Sequence, residues 1–169
     1  GTIDNHVATI YAERYTAIDE NLIPTGIRQR VLDTPFDFNS PKKIGEDFGK
    51  GIDGYDHNFI LCPKLYRRYG KKMLSLGATV TNGKLTMNVY TDQPGLQFYT
   101  GNFLSGKPDF KYGNPRIKHG AFCLETQHFP DSIHHPEWPT VVLKKGEKLT
   151  GWDLLYGLML SSGNDAANA

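Results

Sequence analysis

The sequence holds two cysteines, Cys62 and Cys123, too far apart to form a Cys-x-x-Cys metal site and enough for one disulfide at most. A disulfide scaffold is excluded, and free thiols in a reducing compartment fit best. Charge of one sign is lacking as well, because 19 Lys plus Arg against 18 Asp plus Glu leave a formal net charge of +1. Such a balance gives no electrostatic case for nucleic acid or an anionic membrane as a partner. Apolar runs stop after a few residues, far short of the roughly 20 that a bilayer-spanning helix needs. Gly1 to His6 show no charged-then-apolar leader pattern. No initiator Met is present, so the chain reads as processed, tagged or cut from something longer.

What is present is turn and strand chemistry. Eighteen Gly, ten Pro, nine Phe and nine Tyr in short segments favour a sheet-rich, turn-rich fold. Leu74, Leu76, Ala78 and Val80 share one phase of an alternating pattern, and so do Leu85, Met87 and Val89. Asn82-Gly83 lies between them and supplies positive φ at both centres of a type I′ turn, so the segment reads as a hairpin. Further strands are expected at His6 to Tyr11, Asn58 to Cys62, Gln97 to Tyr99, Ala121 to Thr126 and Thr140 to Leu143. The basic run Lys64, Arg67, Arg68, Lys71 and Lys72 reads as a solvated loop, and Gly45 to Gly54 as a flexible one. Near the end, Thr150 and Asp153 form an N-cap pattern before a Leu154, Leu155, Leu158, Met159 stripe, which predicts an amphipathic C-terminal helix.

Candidate chemistry sits on three strands. On Ala121 to Gln127, Phe122 and Leu124 share one face while Cys123, Glu125 and Gln127 share the other, placing a carboxylate among small and polar neighbours. Gln97 and Tyr99 point away from Leu96 and Phe98, and Asp56-His57-Asn58 is a polar cluster leading into an apolar strand. Aromatics mixed with amides and carboxylates suit a neutral polyol, whose C–H faces stack on rings while its hydroxyls need acceptors and donors. The alternative is that Asp56, Asn58 and Gln97 only satisfy turn backbone. His128, His134 and His135 are interrupted by Phe129 and Pro130 and lack the regular spacing of a metal-ligand set, so no metal is assigned.

Six segments carry a resemblance. Tyr11-Ala-Glu-Arg-Tyr15, Asp19-Glu-Asn-Leu-Ile-Pro-Thr-Gly26, Thr34-Pro-Phe-Asp-Phe38 and Gly54-Tyr-Asp-His-Asn-Phe59 are followed in order by the long motif from Tyr90 to Phe103. Lys118-His-Gly-Ala-Phe-Cys-Leu-Glu-Thr-Gln127 completes the set. Together they resemble consecutive motifs of the aldose 1-epimerases, or galactose mutarotases, over residues 1–147. The resemblance implies an all-β, galactose-mutarotase-type β-sandwich, partial because only the C-terminal half of the family domain is covered. It implies an isomerase that interconverts α and β anomers of hexoses by acid–base ring opening, without cofactor, in the cytoplasm. By position Glu125 matches the general base, Asp56 a sugar-hydroxyl acceptor and Gln97 a pocket residue. The family's acid histidine falls upstream of Gly1. The partner implied is a monosaccharide, with self-association possible through open sheet edges.

Residues 146–169 resemble instead a fragment of the serine D-alanyl-D-alanine carboxypeptidases, with Ser162-Gly163-Asn164 as the motif. The Ser-x-x-Lys and Lys-Thr-Gly motifs of those enzymes are absent, so Ser162 has nothing to activate it. The expected organisation is therefore a mutarotase-like segment at 1–145 and a helical tail at 146–169. A noncatalytic carbohydrate-binding fragment, or a chimeric product without independent function, stay open as alternatives.

Overall fold

The computed structural model describes residues 1–146, 148 and 151, and among these the regular structure is almost entirely strand. The expected C-terminal helix and the Ser-Gly-Asn motif lie outside the described residues. The chain divides into two compact units, Gly1–Asp131 and Ser132–Ala169.

The first unit is a β-sandwich. One sheet contains β1 (Val7–Ile10), β4 (Lys42–Lys43), β6 (Tyr66–Tyr69), β7 (Lys72–Thr81) and β8 (Thr86–Thr91). Its centre is β7, which pairs with β8 on one side and with β1 and β6 on the other. The second sheet runs in the order β12 (Cys123–Gln127), β9 (Gly95–Tyr99), β5 (Asp56–Leu61), β2 (Ala12–Ile18), β3 (Pro24–Arg30), with every neighbour antiparallel. A separate ribbon pairs β10 (Gly106–Phe110) with β11 (Asn114–Arg116).

Period-two alternation explains how both sheets serve one core. Ala8, Ile10, Ala78 and Val80 from the first sheet and Phe59, Leu61, Leu96 and Phe98 from the second belong to the same buried cluster. Phe38 and Tyr55 join it, with Tyr55 stacked on Phe98 at 5.4 Å between ring centroids. Burying one such aromatic contributes about 1.5–3 kcal/mol relative to leaving it exposed. The Tyr55 hydroxyl is satisfied by donating to the Pro35 carbonyl at 2.8 Å, which makes its burial tolerable.

Several strand expectations hold and several do not. The β7–β8 hairpin forms, but Thr81 pairs with Thr86, so the connection has four residues rather than two. Only Gly83 within it has positive φ, and the Asn82 carboxamide oxygen accepts from the Lys84 and Leu85 amides, forming an Asx-type turn in place of type I′. The continuous phase from Leu74 to Val80 is also broken. Leu76 pairs with Tyr90 but Ala78 with Val89, so Gly77 is an extra residue and Leu76 and Ala78 point to opposite faces. The basic run read as a loop contains β6, an edge strand with all four residues exposed. Thr140 to Leu143 is not a strand; Val141, Val142 and Leu143 are exposed and pair with nothing in a ladder.

In the second unit, Ser132–His134 form a short 3-10 turn, and His135 stacks on Trp138 at 4.1 Å. Among the described residues no helix is long and apolar enough to cross a membrane.

Candidate active site

The outer face of the second sheet is the floor of a cleft of about 430 Å³. Three strands build it through their register. Glu125 on β12 lies opposite Gln97 on β9, and Gln97 lies opposite Asn58 on β5. One pleat along, Cys123, Tyr99 and Asp56 form a second row. Residues in between point to the core, as Leu124, Phe98, Leu96 and Phe59 do. The three site residues expected from sequence, Glu125, Asp56 and Gln97, all line this one cleft.

Gln97 reaches diagonally to Asp56, its Nε2 donating to Oδ1 at 2.7 Å. Gln127 donates from Nε2 to Gln97 Oε1 at 3.4 Å and to Asn58 Oδ1 at 3.3 Å. Glu125 is exposed at the cleft surface, and its carboxylate makes no ion pair or hydrogen bond among the described residues. At the end of β9, Tyr99 stacks with Phe103 at 6.4 Å and its hydroxyl accepts from the Phe103 amide at 3.1 Å, which holds the exposed Phe103 ring at the rim. Ile18, Leu22 and Pro24 provide an apolar wall across from it. Leu22 sits at φ 65, held there by a turn in which Asp19 accepts from the Asn21 and Ile23 amides.

Two titratable neighbours are perturbed. Burial among Tyr15 and Phe36 lowers the His57 imidazole to about 4, against a smaller opposing pull from Asp56, so this core-facing ring is neutral at pH 7. The Cys123 thiol is pushed up by loss of hydration and then by the charges of Glu125 and Asp56, which keeps it protonated near neutrality.

The arrangement suits a neutral polyhydroxy ligand. Two carboxylates accept hydroxyl protons, amides can donate or accept, and a ring at the rim offers a stacking face. Among the described residues that line the cleft, the charged side chains are the two carboxylates of Asp56 and Glu125. Among the described residues no group of three His, Cys, Asp or Glu side chains could hold a metal ion. Sequence reasoning missed Thr16, which lies under the floor with its hydroxyl donating to the Asn58 carbonyl at 3.4 Å. It also missed Leu22 and Pro24, because β2 and β3 alternate too weakly to be read as strands.

Comparison with known proteins agrees with the β-sandwich fold. The family model described as aldose 1-epimerase matches residues 1–156, and the chain belongs to that family. Human galactose mutarotase is 43% identical over 149 residues, covering 86% of this chain and 42% of that protein. The aldose 1-epimerase of Escherichia coli is 38% identical over 153 residues, covering 86% and 43%. The chain thus spans about two fifths of the length of the curated relatives it matches. Among solved structures, an aldose epimerase homologue from C. elegans superposes with a TM-score of 0.70 at 23% identity, over 86% of this chain and 43% of that one. A galactose 1-epimerase from Lactobacillus acidophilus gives 0.60 at 24% identity, over 76% and 36%. At these identities the structural matches speak to fold.

Proposed function

We propose that this chain supplies the base-bearing face of an aldose 1-epimerase site that interconverts α and β anomers of a hexose such as galactose or glucose. Glu125 is the general base and takes the proton of the C1 hydroxyl. The C1–O5 bond then breaks, its electron pair passes to the ring oxygen, and that oxygen gains a proton. Rotation about C1–C2 and closure on the opposite face of the aldehyde give the other anomer. Asp56 accepts from sugar hydroxyls, with Gln97 beside it. No electron leaves or enters, so the proposal needs no cofactor. The acid that protonates the ring oxygen is a group beyond the cleft lining described above, a histidine by family resemblance.

One observation carries this reading: the register that sets Glu125, Gln97 and Asn58 in one row, with Asp56 a single pleat away, on the solvent side of the sheet. A second reading is sugar binding without turnover, which needs only the acceptors and donors that line the cleft. Polarimetry of freshly dissolved α-D-galactose and α-D-glucose separates the two. A rate above buffer, abolished in Glu125→Gln, supports the epimerase. A rate equal to buffer removes it, and a hexose-dependent rise in Tm, lost in Asp56→Ala, then leaves the binding module. At a sugar concentration 100 times Kd that rise corresponds to about 2.7 kcal/mol. A cytoplasmic setting and self-association through exposed edges such as β3 and β6 belong to the same proposal.

A further inference from the structure

Asn58 is polar yet only 1% exposed, and its Nδ2 has no hydrogen-bond partner among the described residues. An orphaned buried donor costs about 1–3 kcal/mol, so something must hold the carboxamide in that orientation. The reason lies in the order of the amides. A carboxylate can only accept, so the bond between Gln97 and Asp56 requires the amide nitrogen of Gln97 to face Asp56. Its oxygen must then face Gln127, which can meet it only with Nε2. The other hydrogen of that nitrogen goes to Asn58, which therefore has to present Oδ1. Reversing any one amide would set donor against donor or acceptor against acceptor.

The contact between Gln127 and Asn58 crosses β9, because these residues lie on β12 and β5. Gly95 lies on β9 between them, opposite Gln127 on one side and Ile60 on the other. A Cβ there would lie 2.4 Å from Asn58 Oδ1, so only glycine leaves room for the reach.

We infer that the charge of Asp56 sets the polarity of an amide chain running Asp56, Gln97, Gln127, Asn58, and that Gln127 and Asn58 are positioning residues acting on Asp56 through it. The chain spends Asp56 Oδ1 on Gln97 and leaves Oδ2 as the acceptor offered to the cleft. The ligand this would serve is the neutral polyol of the preceding section, so that part rests on the proposed function, whereas the chain itself does not.

A double-mutant cycle between Gln127→Glu and Asp56→Asn, read without sugar by denaturant unfolding at pH 7, tests the chain. Gln127→Glu replaces the donor by an acceptor and sets it against Gln97 Oε1. In the Asp56→Asn background every amide can reverse, donors and acceptors match again, and the double variant recovers. The expected coupling is about tenfold or more in the unfolding constant, against a purely steric role that would leave the two changes additive. A single variant that fails to fold but is rescued by the second change is the same result in stronger form. Additivity within about twofold, or a double variant no better folded than the single, overturns the inference. Hexose titration of Asn58→Ala and of Asn58→Asp, the second keeping the acceptor oxygen that meets Gln127, is the separate arm, in which only the first is expected to weaken binding. Weaker binding in Asn58→Ala alone ties the chain to the site, and unchanged binding, or equal weakening in both, removes that link. No binding by wild type fails the proposed function while the cycle still decides the chain.

Discussion

Gly95→Ala perturbs the floor of the cleft directly. The added methyl would lie 2.4 Å from Asn58 Oδ1, 3.1 Å from the Gln127 carbonyl oxygen and 3.1 Å from Phe129 Cδ1. The Gln127 oxygen is backbone in a ladder, and it cannot retreat without breaking the β9–β12 pairing. Asn58 must therefore move, and at 1% exposure it has no free space to enter. Overpacking of this kind costs about 1–3 kcal/mol, and losing the Gln127 hydrogen bond adds about 1 kcal/mol. The expected loss is about 2–4 kcal/mol, a drop in Tm on the order of 10 °C. Urea unfolding followed by circular dichroism and by tryptophan fluorescence measures it. Because the clash is with one carboxamide, combining Gly95→Ala with Asn58→Ala should cost less than the sum of the two. A Gly95→Ala protein within 0.5 kcal/mol of wild type, roughly the spread of neutral surface substitutions, would refute the packing argument.

His57 and Cys123 offer tests that depend on pH. The folded-state imidazole of His57 is lowered to about 4, so between about pH 6.5 and 4 the unfolded chain binds the proton and the folded chain does not. Stability should therefore fall as pH drops through this window, by about 3 kcal/mol at most, and His57→Gln should flatten urea midpoints across it. For Cys123, the charge of Glu125 helps keep the thiol protonated, so Glu125→Gln should speed its alkylation by iodoacetamide at pH 8. Mass mapping that distinguishes Cys123 from Cys62 reads the rate, and an unchanged or slower rate contradicts the electrostatic account.

The parts of the fold legible in the sequence are those where burial differs between alternate residues. β5, β9 and β12 each carry core residues in one phase and cleft residues in the other, so Glu125, Asp56 and Gln97 stand out as candidates, while their roles come from the family resemblance. β3 and β6 are edge strands with almost every residue exposed, and nothing in their side chains alternates. The bulge at Gly77 was hidden for another reason, since Leu76 and Ala78 are both buried although they face opposite ways. What no single-sequence pattern could carry is the diagonal contact between Gln127 and Asn58, which depends on three strands meeting in one register around a residue without a side chain.

That shared register restricts how such a protein can change over evolutionary time. On β5, β9 and β12 each residue that lines the cleft is flanked in the chain by one that faces the interior. Loss or gain of a single codon inside any of them would exchange the two roles along the whole strand, turning carboxylates inward and aromatics outward at one stroke. Length variation is tolerable only in the connections, such as the Asn82 to Leu85 turn, while these three strands can diverge by replacement alone.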